Sequence, residues 1–462
     1  MELLRYDATG LASETIGPEL GISQSDRQAL APRLIAARQA LQARFDSGEL
    51  GFINSPDEEI EALIAWAQKK RDAGYTDQVV IGIGGSNLGT RAILEAAGAN
   101  DCPGLRTHFA ENIDPTTVKR LFDALPLETT LFLVVTKSGT TLETMGQFWI
   151  AYARMVEAVG EERAGAHFVA ITDPKVGSLR ALANTMGLEA FEVPPNVGGR
   201  FSVLTNVGLV PLALAGYPLA ELLAGARHVR EAALQDDVAD NLVMQLTAEH
   251  FLLLERGIDQ VVMMSYSDQL LSMVDWYRQI WAESLGKAVD RSGRQVNIGT
   301  TPIKAWGVVD QHSQVQLYME GPNDKHVIFV EVTHFDVDLR IPEEPALPDS
   351  LSYLAGRTLS EVLHAELAGT RAGLTNVGRP TSRFVFERLH PRAIGAFIFC
   401  WELVTAMMGE LLDIDAFDQP GVELGKKIAH GLLGREGFSD FAKMAEGGVN
   451  AGNPNSSGKV VV

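Results

Sequence analysis

Cysteine is scarce, with Cys102 and Cys400 alone in 462 residues, so no disulfide framework is available and a reducing, cytoplasmic setting is the simplest expectation. Positive charge is also in deficit. Lys and Arg number 39 against 59 Asp and Glu, a formal net charge of −20 at pH 7, whereas non-specific nucleic-acid binding requires a basic surface. That balance excludes a polyanion-binding role but not a small anion, because a local cluster of donors holds phosphate inside an acidic protein. No long apolar run is free of charge. Ile394 to Leu412 contains Glu402 and Glu410, each costly in lipid, so a buried core helix is expected there and no membrane association. Met1 to Asp7 show no apolar h-region, and no secretory signal is expected. The ten histidines fall in no metal-ligand spacing with carboxylates, so neither a metal nor another cofactor is expected.

What the chain does contain is organised around residues 131–144. Leu131 to Val135 is a short apolar run rich in β-branched residues, the pattern of a strand buried on both faces of a parallel sheet. A helical pattern follows from about Thr141, with Met145, Phe148, Trp149 and Tyr152 on one side. Between them lie Thr136, Lys137, Ser138, Gly139, Thr140 and Thr141. A strand entering a helix through such a loop points backbone N–H groups and the positive end of the helix dipole at one spot, and hydroxyls add donors. An ordinary N-cap needs one such residue; four suit a phosphate dianion.

The same design occurs earlier. Gln78 to Gly85 reads as a strand running into Ser86-Asn87-Leu88-Gly89, then a helix with Ile93 and Leu94 inward. Gly82, Gly84 and Gly89, with Glu111 downstream, resemble a dinucleotide fingerprint, but the spacing Gly-x-Gly-x-x-x-x-Gly departs from it. A third strand, His167 to Thr172, ends at the turn Asp173-Pro174. Alternating strands and helices predict a doubly wound α/β domain with ligands at the carboxyl ends of its strands. In Gly198-Gly199-Arg200-Phe201-Ser202 the glycines permit close backbone approach to a ligand and Arg200 is a permanent cation; a tight turn with a surface arginine is the plainer alternative.

The first 75 residues read as mainly helical, with segments at Arg27 to Phe45 and Glu58 to Asp72. Strands at Gln260 to Ser265 and Val327 to Val332, and a helix at Gln269 to Leu285 with Leu270, Val274, Tyr277 and Trp281 on one stripe, predict a second α/β domain. Residues 340–350 read as a connecting loop. The expected division is a helical segment 1–75, α/β domains 76–225 and 226–446, and a flexible tail 447–462. Glu283, in the last helical turn, sits where the dipole raises a carboxyl pKa, a useful property in a general base; pairing with Lys287 at i,i+4 is the alternative. His312 is flanked by polar groups suited to fixing its tautomer. Lys426 shares a helical face with Val422 and Ala429 and is expected to point inward, with Lys427 outward beside Glu423.

Together, Gly84-Gly85-Ser86, Thr136 through Thr144, Gly198 through Ser202, Glu283-Ser284-Leu285-Gly286-Lys287, His312 with its neighbours, and Phe417-Asp418-Gln419 through Lys426 resemble the phosphoglucose isomerase family, in the family's order. The resemblance implies two sugar-isomerase domains of α/β/α sandwich type. It also implies reversible isomerisation of glucose 6-phosphate and fructose 6-phosphate by ring opening and proton transfer through a cis-enediol. Carried over by position, Glu283 is the base, Arg200 stabilises the enediolate, and His312 and Lys426 serve ring opening. Gly85, Ser86, Thr136, Lys137, Ser138 and Thr141 hold phosphate, with Gln279 and Gln419 lining the site. A homodimer with His312 contributed across the interface is implied too. Departures are Thr136 where serine is common, Leu285 where a polar residue is common, and Pro195 and Pro420 beside their motifs. Another phosphosugar isomerase, including one with dual glucose and mannose phosphate activity, and a non-catalytic phosphosugar-binding regulator are the alternatives.

Overall fold

In the computed structural model, which describes residues 4–98, 102–343 and 348–450, the apolar runs form two separate parallel sheets. The strands are Arg5–Asp7 (β1), Asp77–Ile81 (β2), Arg106–Ala110 (β3), Thr130–Val135 (β4), Phe168–Thr172 (β5), Glu189–Glu192 (β6), Gln260–Ser265 (β7), Lys287–Val289 (β8), Gln295–Ile298 (β9), Thr301–Trp306 (β10), Lys325–Val332 (β11) and Thr381–Phe386 (β12). The first sheet has the order β3-β2-β4-β5-β6 with every pair parallel. Parallel neighbours require crossovers, and the helices Leu88–Ala96, Pro115–Ala124, Leu142–Val159 and Ser178–Met186 supply them. All six residues of β4 are buried, which is why this strand reads as a continuous apolar run. Phe132, Phe148 and Phe168 meet in the core between this sheet and the Leu142–Val159 helix.

That helix starts directly after Thr141, as expected, but its buried positions are Thr144, Gln147, Phe148, Ala151, Met155 and Val159. Trp149, expected on one side with Met145, Phe148 and Tyr152, is 47% exposed. Adjacent helical residues point about 100° apart, so Phe148 and Trp149 do not share one face.

The second sheet has the order β1-β12-β11-β7-β10. Its strands are parallel except β1, which joins the edge antiparallel to β12. Residues 1–75 are therefore not purely helical. The two expected helices form at Gln24–Asp46 and Glu61–Asp72, the first opened by a capping box between Ser23 and Asp26. Strand β1 is three residues long, too short to show alternation, and its Asp7 is held by Arg371 at 2.9 Å and Arg383 at 3.0 Å. The Leu271–Leu285 helix buries Val274, Tyr277 and Trp281 together with Leu270 just before it, as the stripe predicts.

Pro391–Leu411 is long and apolar enough to cross a membrane, yet almost all of it is buried. It packs against the helices Gln24–Asp46, Leu219–Ala233, Leu242–Glu255 and Leu271–Leu285. Glu402 is completely buried there, and burial pushes its carboxyl well above the ordinary range, favouring the neutral form.

Both sheets belong to one compact unit, Met1–Ala416, and Phe417–Val462 forms another. In the smaller unit Pro420–Val422 leads into the helix Glu423–Leu432, followed by Ser439–Asn450. Gly431 lets these two helices touch, because a Cβ there lies 2.4 Å from the Phe438 carbonyl oxygen. Lys427 is exposed, as expected, but Lys426 does not point inward, and it rather than Lys427 lies beside Glu423. Lys426 is 57% exposed and its Nζ bonds the Glu423 carboxylate at 2.8 Å, whereas the Lys427 ammonium stands 5.7 Å from the centre of the Phe441 ring. The i,i+3 spacing brings Lys426 to Glu423, and the second helix supplies Lys427 with an aromatic face. The first four residues of the predicted tail close the Ser439–Asn450 helix. Residues 451–462, and 344–347 of the predicted connecting loop, lie outside the described residues.

Candidate active site

The carboxyl end of β4 opens into a knot of hydroxyls. Thr136 Oγ1 lies 2.8 Å from Thr141 Oγ1 and 3.4 Å from Ser138 Oγ, and Ser138 Oγ is 3.5 Å from Thr141 Oγ1. Thr141 is the N-cap of the Leu142–Val159 helix but makes no side-chain cap hydrogen bond. No cap side chain occupies the first-turn amides at the positive helix end. Thr136 is fixed from behind, its N–H donating to the Ile171 carbonyl and its own carbonyl accepting from Thr172 Oγ1 at 2.7 Å. Lys137, expected on phosphate, donates from Nζ to the carbonyl oxygens of Pro195 and Val197 at 2.7 and 2.8 Å. Burial lowers its ammonium below the ordinary lysine range. It braces the loop that precedes Arg200.

Strand β2 pairs with β4, so its own terminal loop stands beside this knot. Gly84 turns there with φ of +58°, and a Cβ on it lies 2.8 Å from Gln279 Nε2. At Gly85 a Cβ lies 2.3 Å from the Gly199 carbonyl oxygen and 2.7 Å from the Arg200 amide nitrogen. Only glycine at both places lets the β2 loop, the Gly199–Phe201 turn and the Leu271–Leu285 helix converge. Ser86, partly exposed, makes no side-chain hydrogen bond among the described residues. Glu111, at the end of β3, is ion-paired with Arg91.

Arg200 is no surface arginine, its side chain being 2% exposed. Its Nε donates to Ser284 Oγ at 2.6 Å and its Nη2 to the Ala416 carbonyl at 2.5 Å. Its Nη1 lies 3.5 Å from Glu283 Oε1. The other carboxylate oxygen of Glu283 accepts from Gln279 Nε2 at 3.0 Å, one helical turn earlier. Lys287 Nζ approaches the Glu283 backbone carbonyl at 3.1 Å, closing the helix end. Leu285, two positions after Glu283, is buried. One patch therefore unites Gly84, Gly85, Gln279, Glu283 and Arg200. Sequence reasoning missed Ser284, although its place three residues after Trp281, on the buried stripe, marks a hydroxyl turned inward.

His312 stands apart from that patch. It ends the turn Val309–His312 after β10 and is exposed, with no side-chain hydrogen bond or ion pair among the described residues. Its polar neighbours are engaged elsewhere and do not set its tautomer. Asp310 accepts from the Trp306 amide and from Ser313 Oγ, Gln311 bonds Tyr266 and Glu366, and Gln314 accepts from Tyr318. Gln419 and Lys426 belong to the smaller unit. Among the described residues no three His, Cys, Asp or Glu side chains are grouped to hold a metal ion.

A doubly wound α/β chain with a hydroxyl-lined anion loop, a buried arginine and an adjacent carboxylate is built to bind a small phosphorylated molecule and to move a proton on it. The comparisons narrow this further. Residues 60–444 match the family model described as phosphoglucose isomerase. A glucose-6-phosphate isomerase of Carboxydothermus hydrogenoformans is 42% identical over 91% of this chain and 92% of its own length. One of Thermus thermophilus is 40% identical over 86% of this chain and 94% of its own. Among solved structures, a hypothetical protein of Thermus thermophilus superposes with a TM-score of 0.83 at 38% identity, covering 93% of this chain and all of its own. A glucose-6-phosphate isomerase of Chlamydia trachomatis gives 0.72 at 28% identity, covering 84% of this chain and 75% of its own. The chain belongs to the phosphoglucose isomerase family.

Proposed function

We propose that this protein interconverts glucose 6-phosphate and fructose 6-phosphate, with Glu283 moving a proton between C2 and C1 of the open-chain sugar through a cis-enediol. The observation that carries the assignment of roles is the Glu283 carboxylate 3.5 Å from a buried guanidinium, Arg200. A carboxylate takes the carbon-bound proton, and the fixed cation stabilises the negative oxygen that develops. Gly85, Ser86, Thr136, Lys137, Ser138 and Thr141 are assigned to the phosphate. That remote anchor orients C1 and C2 against the base. Gln279 lines the site and holds Glu283, and Gln419 is assigned to the same ligand.

His312 and Lys426 are assigned to ring opening, moving a proton between the ring oxygen and the anomeric hydroxyl. The exposed imidazole, with no side-chain hydrogen bond to the described residues of its own chain, favours a homodimer in which His312 serves the neighbouring subunit's site. Residues 76–225 and 226–446 are read as the two sugar-isomerase domains, and the setting as cytoplasmic. A coupled assay of fructose 6-phosphate conversion to glucose 6-phosphate, run with EDTA and no added cofactor, tests the activity. Turnover is expected; tight sugar-phosphate binding without turnover would instead support a non-catalytic regulator. Mannose 6-phosphate in the same assay separates a dual-specificity enzyme from a selective one.

A further inference from the structure

We infer that Ser284 is a positioning residue that aims Arg200 at the developing enediolate, an inference that rests on the isomerase reading above. Ser284 is completely buried in the last turn of the Leu271–Leu285 helix, immediately after the base. Serine there is a worse helix former than alanine, and a buried hydroxyl is costly unless it is used. Here its oxygen accepts the Arg200 Nε–H at 2.6 Å, while the Ala416 carbonyl accepts from Nη2 at 2.5 Å. Nε and Nη2 form one edge of the planar guanidinium, so these two acceptors fix the plane. Nη1, on the opposite side, is the atom turned toward Glu283.

The arrangement ties acid–base group and cation to a single helical turn. Glu283 and Ser284 are consecutive, so any shift of that turn carries the base and the acceptor of Arg200 together. Without the Ser284 oxygen the guanidinium keeps its charge but loses the acceptor that holds its Nε–H. Its attraction for phosphate-bearing ligands in general is then little changed. What weakens is the aligned contact made when charge appears on the sugar oxygen.

The test compares two ligands by calorimetry, with kcat measured alongside. A phosphorylated aldonohydroxamate mimics the enediolate anion; glucitol 6-phosphate carries the same phosphate on an uncharged chain. Ser284→Ala is expected to lose about tenfold to a hundredfold in kcat and in hydroxamate affinity, the scale of a hydrogen bond to a charged group. Its affinity for glucitol 6-phosphate should stay within about twofold, and KM should follow the latter. Ser284→Cys keeps the volume with a weaker acceptor and is expected to show the same split, smaller in size. If the two ligands weaken together in both variants, or neither changes, Ser284 does not aim Arg200. A wild-type protein without isomerase turnover overturns the isomerase reading and this inference with it. Normal wild-type turnover with unsplit affinities overturns the Ser284 role alone.

Discussion

Arg200 and Glu283 stand close without a tight ion pair, Nη1 lying 3.5 Å from Oε1 while the other Glu283 oxygen is held by Gln279 at 3.0 Å. A shorter, bidentate pair would lock the carboxylate against the cation and spend on each other the groups that the reaction needs separately. On the proposed reading, the looser spacing keeps Glu283 able to take a proton and Arg200 able to meet an oxyanion. Glu283→Gln preserves shape and the Gln279 contact but removes the base. Isomerisation should fall by about a thousandfold or more, while affinity for glucitol 6-phosphate stays within about tenfold. Near-normal turnover in this variant would remove Glu283 from the role of base.

Gly85 is the contact point between the β2 loop and the turn carrying Arg200. A methyl group there meets backbone, the Gly199 carbonyl oxygen at 2.3 Å, which has no flexible end to swing aside. Gly85→Ala should therefore separate the β2 loop from Arg200 and lower kcat/KM by about tenfold or more, in keeping with the sensitivity of catalysis to small misplacements. Gly146→Ala is the control. Nothing lies within 4 Å of a Cβ at Gly146, which sits inside the Leu142–Val159 helix, so the change should leave turnover intact and raise stability by about 0.5–1 kcal/mol. Equal activity in the two variants would mean that the Gly85 contact does not position the site.

Much of this site was legible because its parts are local. The loop from Thr136 to Thr141 needs only a strand, a helix and small residues between them, and each has its own signature in the chain. The buried stripe from Leu270 to Trp281 likewise follows from helical spacing. What stayed hidden depends on partners distant in sequence. That the ammonium of Lys137 also donates to the carbonyls of Pro195 and Val197, about sixty residues away, is visible only in the fold. Ser284 gains meaning only when Arg200 arrives beside it. Strand β1 is recognised by its pairing with β12, not by any pattern of its own. The direction of Lys426 went wrong for a related reason: helical spacing gives which residues share a face, but Glu423 and Phe441 decide which lysine each environment takes.

His312 provides a test of where the active site ends and a second chain begins. Its exposed imidazole makes no side-chain hydrogen bond within its own chain among the described residues. If it serves a neighbour, Glu283→Gln and His312→Ala chains, each strongly impaired alone on the ring-closed substrate, should complement each other. After subunit exchange at equal amounts, about half of the dimers carry one intact site, giving about a quarter of wild-type activity. Verified mixed dimers with no recovery would assign each site to a single chain. His312→Ala alone should slow a ring-closed substrate more than one held open, such as a sugar phosphate locked in the acyclic form. Equal slowing of both would count against ring opening as its task.

Acid stability should depend on Asp7, the residue that fastens β1 to the second sheet. Burial acts to raise its carboxyl pKa, but hydrogen bonds from Thr9 and the charges of Arg371 and Arg383 outweigh that, bringing it from 3.8 to about 2. A depressed carboxyl pKa means that the folded state favours the ionised form. Its contribution is fully present above about pH 4, the unfolded value, and is lost as pH falls through about 2. Asp7→Asn removes the charge at every pH, so the variant should melt roughly 2–4 °C below wild type at pH 7. The gap should close as melting is followed down from about pH 4 toward the lowest pH at which the protein remains folded. A gap constant across that range would show that Asp7 contributes through packing and neutral hydrogen bonds rather than through its charge.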